Sequence, residues 1–190
     1  MSKIEVDTID SRSGSATLTL GSANATTLAL NSGITTLPSA MTNTPAFFAY
    51  LSSNQANSSN DTYDKILFDT EILDSDSCYD NATNYRFTPT SSGYYKLFGS
   101  VAIDCSSSNF EWGFVAIYKN GSLLYEVTNQ QTTNNANHIN VSIDIIEQAN
   151  GSTDYFELFA KGGDSSGVAT FNAGAGNRRT TFGGFKLIGT

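Results

Sequence analysis

The segment Tyr85-Arg-Phe-Thr-Pro-Thr-Ser-Ser-Gly-Tyr-Tyr-Lys-Leu-Phe98 constrains the fold more than any other. Tyr85 and Phe87 alternate with Arg86, the period-2 pattern of a half-buried strand. Pro89 ends the ladder because it has no N–H to donate. Ser91, Ser92 and Gly93 supply a turn. Tyr95, Leu97, Val101 and Ile103 then resume the alternation. The segment predicts strand, tight turn, strand within one aromatic-rich antiparallel sheet. Almost no window of the chain shows apolar residues at i, i+3, i+4 and i+7, so helices are not expected.

Alternating runs recur from Ala46 onward. They predict strands at 46–51, 65–68, 85–87, 94–103, 111–118, 123–127, 139–146, 154–160, 168–172 and 180–188. Tyr118-Lys-Asn-Gly-Ser122 is a hairpin signal, since Asn-Gly readily takes the positive φ of a type I′ turn. Ala149-Asn-Gly-Ser-Thr153 and Lys161-Gly-Gly-Asp-Ser-Ser-Gly167 are further turns. Aromatic residues make up 12% of the chain and charged residues 15%, a mix that suits strands and turns. About ten short strands without helices imply an all-β sandwich or jelly roll. With 190 residues, one domain plus an appendage is the expected organisation.

The appendage shows in the charge pattern. No charged residue lies between Arg12 and Asp61. Within that stretch Ala16-Thr-Leu-Thr-Leu-Gly-Ser22 recurs as Thr26-Thr-Leu-Ala-Leu-Asn-Ser32. These are strand-length runs separated by turn residues, and an arm this short cannot bury its own leucines. It must dock on something or wrap around copies of itself. The reading is therefore a β-rich oligomerising and anchoring arm (1–37), a linker stiffened by Pro38 and Pro45 (38–45), and a head (46–190).

Several chemistries are disfavoured. A net charge of −8 argues against nucleic-acid binding, and Arg178-Arg179, the only adjacent basic pair, reads as a solvated loop. No apolar run is long enough to span a membrane, and Met1-Ser-Lys-Ile-Glu-Val-Asp is no signal peptide. Folding in a cytoplasm is the expectation, with Cys78 and Cys105 more often thiols than a disulfide. His138 sits in a polar run and reads as a solvent-facing residue. Cys105 would need His138 beside it to act as a nucleophile, and no hydrolase or nucleotide motif occurs, so no enzyme is expected. Asp74, Asp76 and Asp80 alternate as calcium ligands can. Their segment lacks the glycine and glutamate of a calcium loop, so a solvated acidic turn is favoured and no cofactor is expected.

The strand array resembles the globular head of the complement C1q and tumour-necrosis-factor superfamily. Pro45-Ala-Phe-Phe-Ala-Tyr-Leu51 is similar to that family's first strand. Lys65-Ile-Leu-Phe68 with Tyr79-Asp80 resembles its second and third segments. Phe87-Thr-Pro and Ser92-Gly-Tyr-Tyr95 resemble the opening of its longest strand, and Tyr118-Lys-Asn-Gly121 its central hairpin. Asp154-Tyr-Phe-Glu-Leu158 and Thr181-Phe-Gly-Gly-Phe-Lys-Leu187 resemble its last two strands. The resemblance implies a C1q/TNF-like jelly roll that assembles as a homotrimer through an aromatic face. Phe47, Tyr50, Tyr95, Phe114, Phe156, Phe182 and Phe185 are the candidates for that face.

A second resemblance covers the arm. Ile4-Glu-Val-Asp-Thr-Ile-Asp-Ser-Arg-Ser-Gly14 and the Thr-Leu-x-Leu repeats are similar to the leading segments of virion proteins of tailed phages, especially marine ones. It implies attachment to other virion proteins through Ile4, Val6, Ile9, Leu18, Leu20, Leu28 and Leu30. The leading functional expectation is a non-enzymatic structural protein of a phage virion, a trimeric decoration or fibre. The alternatives are a tail-fibre adhesin for host-surface glycan or envelope, and a secreted C1q-like lectin.

Overall fold

The computed structural model describes residues 41–105, 110–131, 136–164 and 168–189. The chain divides into two units, Met1–Leu37 and Pro38–Thr190, and all described residues belong to the second. The arm residues Ile4, Val6, Ile9, Leu18, Leu20, Leu28 and Leu30 lie outside the described residues.

The described elements are all strands: β1 (Ala46–Tyr50), β2 (Gln55–Ala56), β3 (Asp64–Lys65), β4 (Thr70–Asp74), β5 (Tyr79–Asp80), β6 (Arg86–Phe87), β7 (Ser92–Asp104), β8 (Phe110–Lys119), β9 (Ser122–Gln130), β10 (His138–Asn150), β11 (Phe156–Asp164), β12 (Thr170–Phe171) and β13 (Thr181–Lys186). They form two antiparallel sheets packed as a jelly-roll sandwich. The first is seven-stranded, ordered β2-β12-β7-β13-β1-β4, with β10 also paired to β7. The second is six-stranded, ordered β5-β6-β11-β8-β9, with β3 also paired to β11. The all-β sandwich expectation holds.

Period-2 alternation sends one set of side chains inward from each sheet. Along β7 these are Tyr95, Leu97, Val101 and Ile103, all removed from solvent. The core is unusually aromatic. The Phe47 ring stacks on Phe87 at 4.4 Å and on Tyr79 at 4.8 Å, and meets Phe182 edge-on at 4.9 Å. Phe87 in turn meets Tyr95 at 5.6 Å and Phe156 at 6.4 Å. Phe47, Tyr95 and Phe182 belong to the first sheet, and Tyr79, Phe87 and Phe156 to the second. The cluster therefore ties the layers together. Each buried ring contributes about 1.5–3 kcal/mol, with about 0.5–1.5 more for each ring pair. Gly99 completes the fit, since a Cβ there would stand 2.1 Å from Leu158 Cδ1.

One local expectation changes. Phe87 and Tyr95 lie in opposite sheets, so the run between them is a crossover and not a hairpin turn. Tyr85 leaves the ladder with φ at +50°, and Phe87 pairs with Tyr79 and Phe156 instead of β7. The physical reason is the core: the crossover lets both rings point inward and meet. The β8–β9 hairpin turns on Asn120 and Gly121 with φ +55° and +78°, as the Asn-Gly signal predicts. Strands β2 and β4 were not expected, and β5 was expected only from the family resemblance at Tyr79-Asp80. Of the expected 65–68 run only Lys65 pairs in a ladder, together with the preceding Asp64.

Truncation of the central ring tests this account. Phe87→Ala is expected to destabilise the head by about 3–5 kcal/mol, because the cavity lies where both sheets meet. Urea unfolding at fixed protein concentration measures it, with Phe48→Ala, at the surface, as the milder comparison.

Candidate functional site

Residues that alternate with the core set form the outer face of the first sheet. The register places Asp144, Phe98, Gly183, Phe48 and Leu73 in one row across β10, β7, β13, β1 and β4. The next row is Ile146, Lys96, Phe185 and Ala46. Gly183 lies between two phenylalanines, and their rings lean over it to a centroid distance of 6.1 Å. A Cβ there would meet Phe98 Cζ at 2.6 Å and Phe48 Cδ2 at 2.8 Å. Phe185 approaches Phe98 edge-on at 6.5 Å. Tyr50 holds the Arg178 guanidinium 5.0 Å over its ring. Around the rings, Tyr94, Leu73 and Ile146 are exposed. Ser100 and Ser142 share a hydrogen bond at 3.1 Å, Ser100 donates to Asn140, and Lys96 pairs with Asp144. The face is therefore an aromatic patch bordered by satisfied polar groups, a pattern that marks association surfaces.

This placement corrects the candidate interface. Phe47, Tyr95, Phe156 and Phe182 are core residues with at most 2% of their surface exposed. A ring already out of solvent in one chain has no area to bury against another. Phe114 lies on the outer face of the second sheet. Tyr50 and Phe185 do lie on the patch, joined by Phe48, Phe98 and Tyr94, which the sequence reading passed over. Phe47 and Phe48 are adjacent, as are Tyr94 and Tyr95. Alternation sends each pair to opposite faces, and only the register says which member goes outward.

The second sheet carries its own outer aromatics. Tyr118 stacks on Phe159 at 4.0 Å, and Trp112 meets Phe114 edge-on at 5.8 Å. Lys65 pairs with the nearly buried Glu157 at 2.5 Å.

The acidic turn does not gather into a site. Asp74 accepts the N–H groups of Cys78 and Tyr79 at 2.9 and 3.1 Å, while Asp76 is exposed. Asp80 accepts the N–H groups of Ala82, Thr83 and Asn84 in the following turn. The carboxylates cap two separate turns, and among the described residues no group of three His, Cys, Asp or Glu side chains converges on one point. The donors from Thr83, Ala82 and Asn84 hold the Asp80 carboxyl down at about 2.

No disulfide joins Cys78 and Cys105, and both thiols are buried. Burial and the neighbouring Asp74 push the Cys78 thiol far above its ordinary value, so it is no nucleophile at neutral pH. His138 is exposed at the start of β10, where it pairs with Asp104. Asp104, Cys105, Asn137, His138 and Arg179 border one shallow depression of about 230 Å³. That proximity has no local signal in the chain and arises from the β7–β10 register of His138 on Asp104.

No family model matches the chain, and no curated protein sequence matches it. Its structure is similar to murine APRIL at pH 5.0, with a TM-score of 0.55 and 8% identity over 75% of this chain and 98% of that one. It is similar to the Eiger TNF of S. frugiperda, with a TM-score of 0.55 and 10% identity over 75% and 91%. It is also similar to the globular domain of the zebrafish complement 1qA protein, with a TM-score of 0.50 and 15% identity over 75% and 96%. At such identities the likeness is one of fold.

The Asp80 cap has a pH signature. Its folded-state pKa is depressed, so its contribution is complete above the unfolded value of about 4. That contribution is lost as pH falls through about 2. Asp80→Asn is expected to flatten this part of the acid limb between about pH 4 and 2, measured as denaturant midpoint against pH. An unchanged acid limb would remove the assignment.

Proposed function

We propose that this chain is a non-enzymatic structural protein of a phage particle, acting as a homotrimer. Three copies pack through the outer face of the first sheet. The N-terminal arm, without charge beyond Arg12, mounts the resulting head on the particle as a surface decoration or fibre. The observation that carries the self-association is the cluster of Phe48, Phe98 and Phe185 beside Gly183. These rings lie at the surface of one chain, where a second copy gains their burial. The threefold arrangement follows the assembly that the sequence resemblance implies, and the C1q/TNF-like fold supports it. Mounting on a virion is supported by the resemblance of the Ile4–Gly14 segment and its leucine repeats.

The chemistry of the two sheet faces supports contact over turnover. The faces carry stacked rings, the acidic turn's carboxylates are committed to backbone N–H groups, and the buried Cys78 thiol is held protonated. Function then comes from avidity. Three identical heads on one stalk, and many stalks on one particle, raise the effective concentration of each weak contact.

The full chain at micromolar concentration is expected to scatter light as a trimer. Phe98→Arg is expected to yield monomers with an unchanged β-type circular dichroism spectrum, because the ring lies outside the core and the charge meets its own copies at the interface. A wild-type monomer at that concentration would sink the assembly. Deletion of residues 1–45 is expected to leave a trimeric head that no longer joins particles, and incorporation of the shortened chain would sink the anchoring role.

A further inference from the structure

The outer face of the second sheet holds a groove built by strand register. Trp112 lies opposite Gln130, and Phe114 opposite Thr128, across β8 and β9. On the other side of β8, Gly163 lies opposite Trp112 and Lys161 opposite Phe114. Directly opposed residues of an antiparallel pair share a face, so all six project into one patch. Gly163 leaves a gap, and the loop between β2 and β3 descends into it. A Cβ at Gly163 would stand 1.7 Å from Asn60 Oδ1 and 3.2 Å from Trp112 Cζ2. The next residue, Asp61, accepts a hydrogen bond from Lys161 at 2.6 Å. Asp61, Trp112, Phe114, Thr128 and Gln130 then line an open groove of about 260 Å³.

The loop that supplies Asp61 is held from beneath. Asn57 is only 3% exposed. Its Nδ2 donates to the Thr62 carbonyl at 2.9 Å and to Asp64 Oδ2 at 2.7 Å. Ser58 donates to Asp64 through its backbone N–H and its hydroxyl. Burial alone would raise the Asp64 pKa, but these donors together outweigh it and keep the carboxyl below its ordinary value. Tyr63 donates its hydroxyl to Glu126 at 2.7 Å, which fixes the far end of the loop on β9. Two rigid strands and a clasped loop thus hold the groove's shape before any ligand arrives.

The groove's electrostatics narrow what fits. The Lys161 ammonium already occupies the cation position, 4.7 Å from the Tyr63 and Phe114 centroids and 5.6 Å from that of Trp112. Asp61 neutralises it. A cationic ligand would have to displace Lys161, and an anionic one would meet Asp61. What remains is an aromatic wall beside an amide, a hydroxyl and an exposed carboxylate, groups that donate to or accept from hydroxyls. A ligand that matches has one apolar face and a ring of neutral hydroxyl groups. The geometry points to this groove as a binding site for a neutral saccharide, one sugar ring in size. Its volume lies below the about 300–1,000 Å³ typical of drug-sized sites, which suits a single or terminal residue. This goes beyond the structural role proposed above, and it stands or falls apart from trimerisation and from mounting on a particle.

Trp112 is the chain's one tryptophan, so intrinsic fluorescence reports on the groove directly. The full chain is titrated with methyl glycosides of glucose, galactose and mannose, with N-acetylglucosamine, with choline as the cationic probe, and with glucuronate as the anionic one. A saturable change with at least one neutral sugar in the millimolar range is expected, with no response to choline or glucuronate. Gln130→Ala, at an exposed position on β9, is expected to weaken that response about fivefold to tenfold through loss of hydrogen bonds. Phe114→Ala is expected to weaken it further. Circular dichroism checks that both variants keep the β fold. No saturable response to any neutral sugar would overturn the assignment. So would a response that both folded variants retain in full, or one to choline or glucuronate in place of sugars.

Discussion

The Phe47–Phe87 stack is the contact on which the rest of the head depends. It bridges the two sheets at 4.4 Å and brings Tyr79, Tyr95, Phe156 and Phe182 into one connected set. A sandwich core is only about 10 Å thick, so it is filled by one layer of large side chains from each sheet. Once these rings fill it, every aromatic one position away along the same strands must stand outside. The surface chemistry of the molecule is in this sense a consequence of its core.

Two outer faces result, and they differ in character. The face of the first sheet is dominated by rings that lean together over Gly183, with a serine and asparagine stripe beside them. It resembles a protein–protein contact, with an apolar centre and a polar border. The face of the second sheet mixes its rings with Lys161, Lys65, Glu157, Glu126 and Asp61, and carries a groove in place of a flat patch. A flat ring-rich surface suits a second copy of the chain, whereas a small polar-walled groove suits a small molecule.

The fold class was legible because alternation and turn chemistry are local. Tyr95-x-Leu97 and Val101-x-Ile103 announce a strand whatever surrounds them, and Asn120-Gly121 announces its own turn. The short strands were less legible. In β4, Thr70-Glu-Ile-Leu-Asp74 carries adjacent apolar residues without alternation, because it is an edge strand paired only with β1 and bulged there. The Phe87 to Tyr95 stretch reads equally well as hairpin or crossover. Nothing local says whether a turn returns a strand to its own sheet or sends it to the facing one.

The sites were harder to read for the same reason. The interface expectation chose Phe47 over Phe48 and Tyr95 over Tyr94, and adjacent aromatics cannot be assigned to a face without the partner strands. The groove joins Asp61 to Lys161, 100 residues apart, through a glycine whose missing side chain gives no signal in a sequence. The sequence by itself determined an aromatic, two-layered β head, because period-2 alternation and turn residues act within a few positions. Only the tertiary structure decided which rings fill the core, which stand on the outer faces and which line a groove. Facing is set by register, and register is a property of strand pairs distant in the chain.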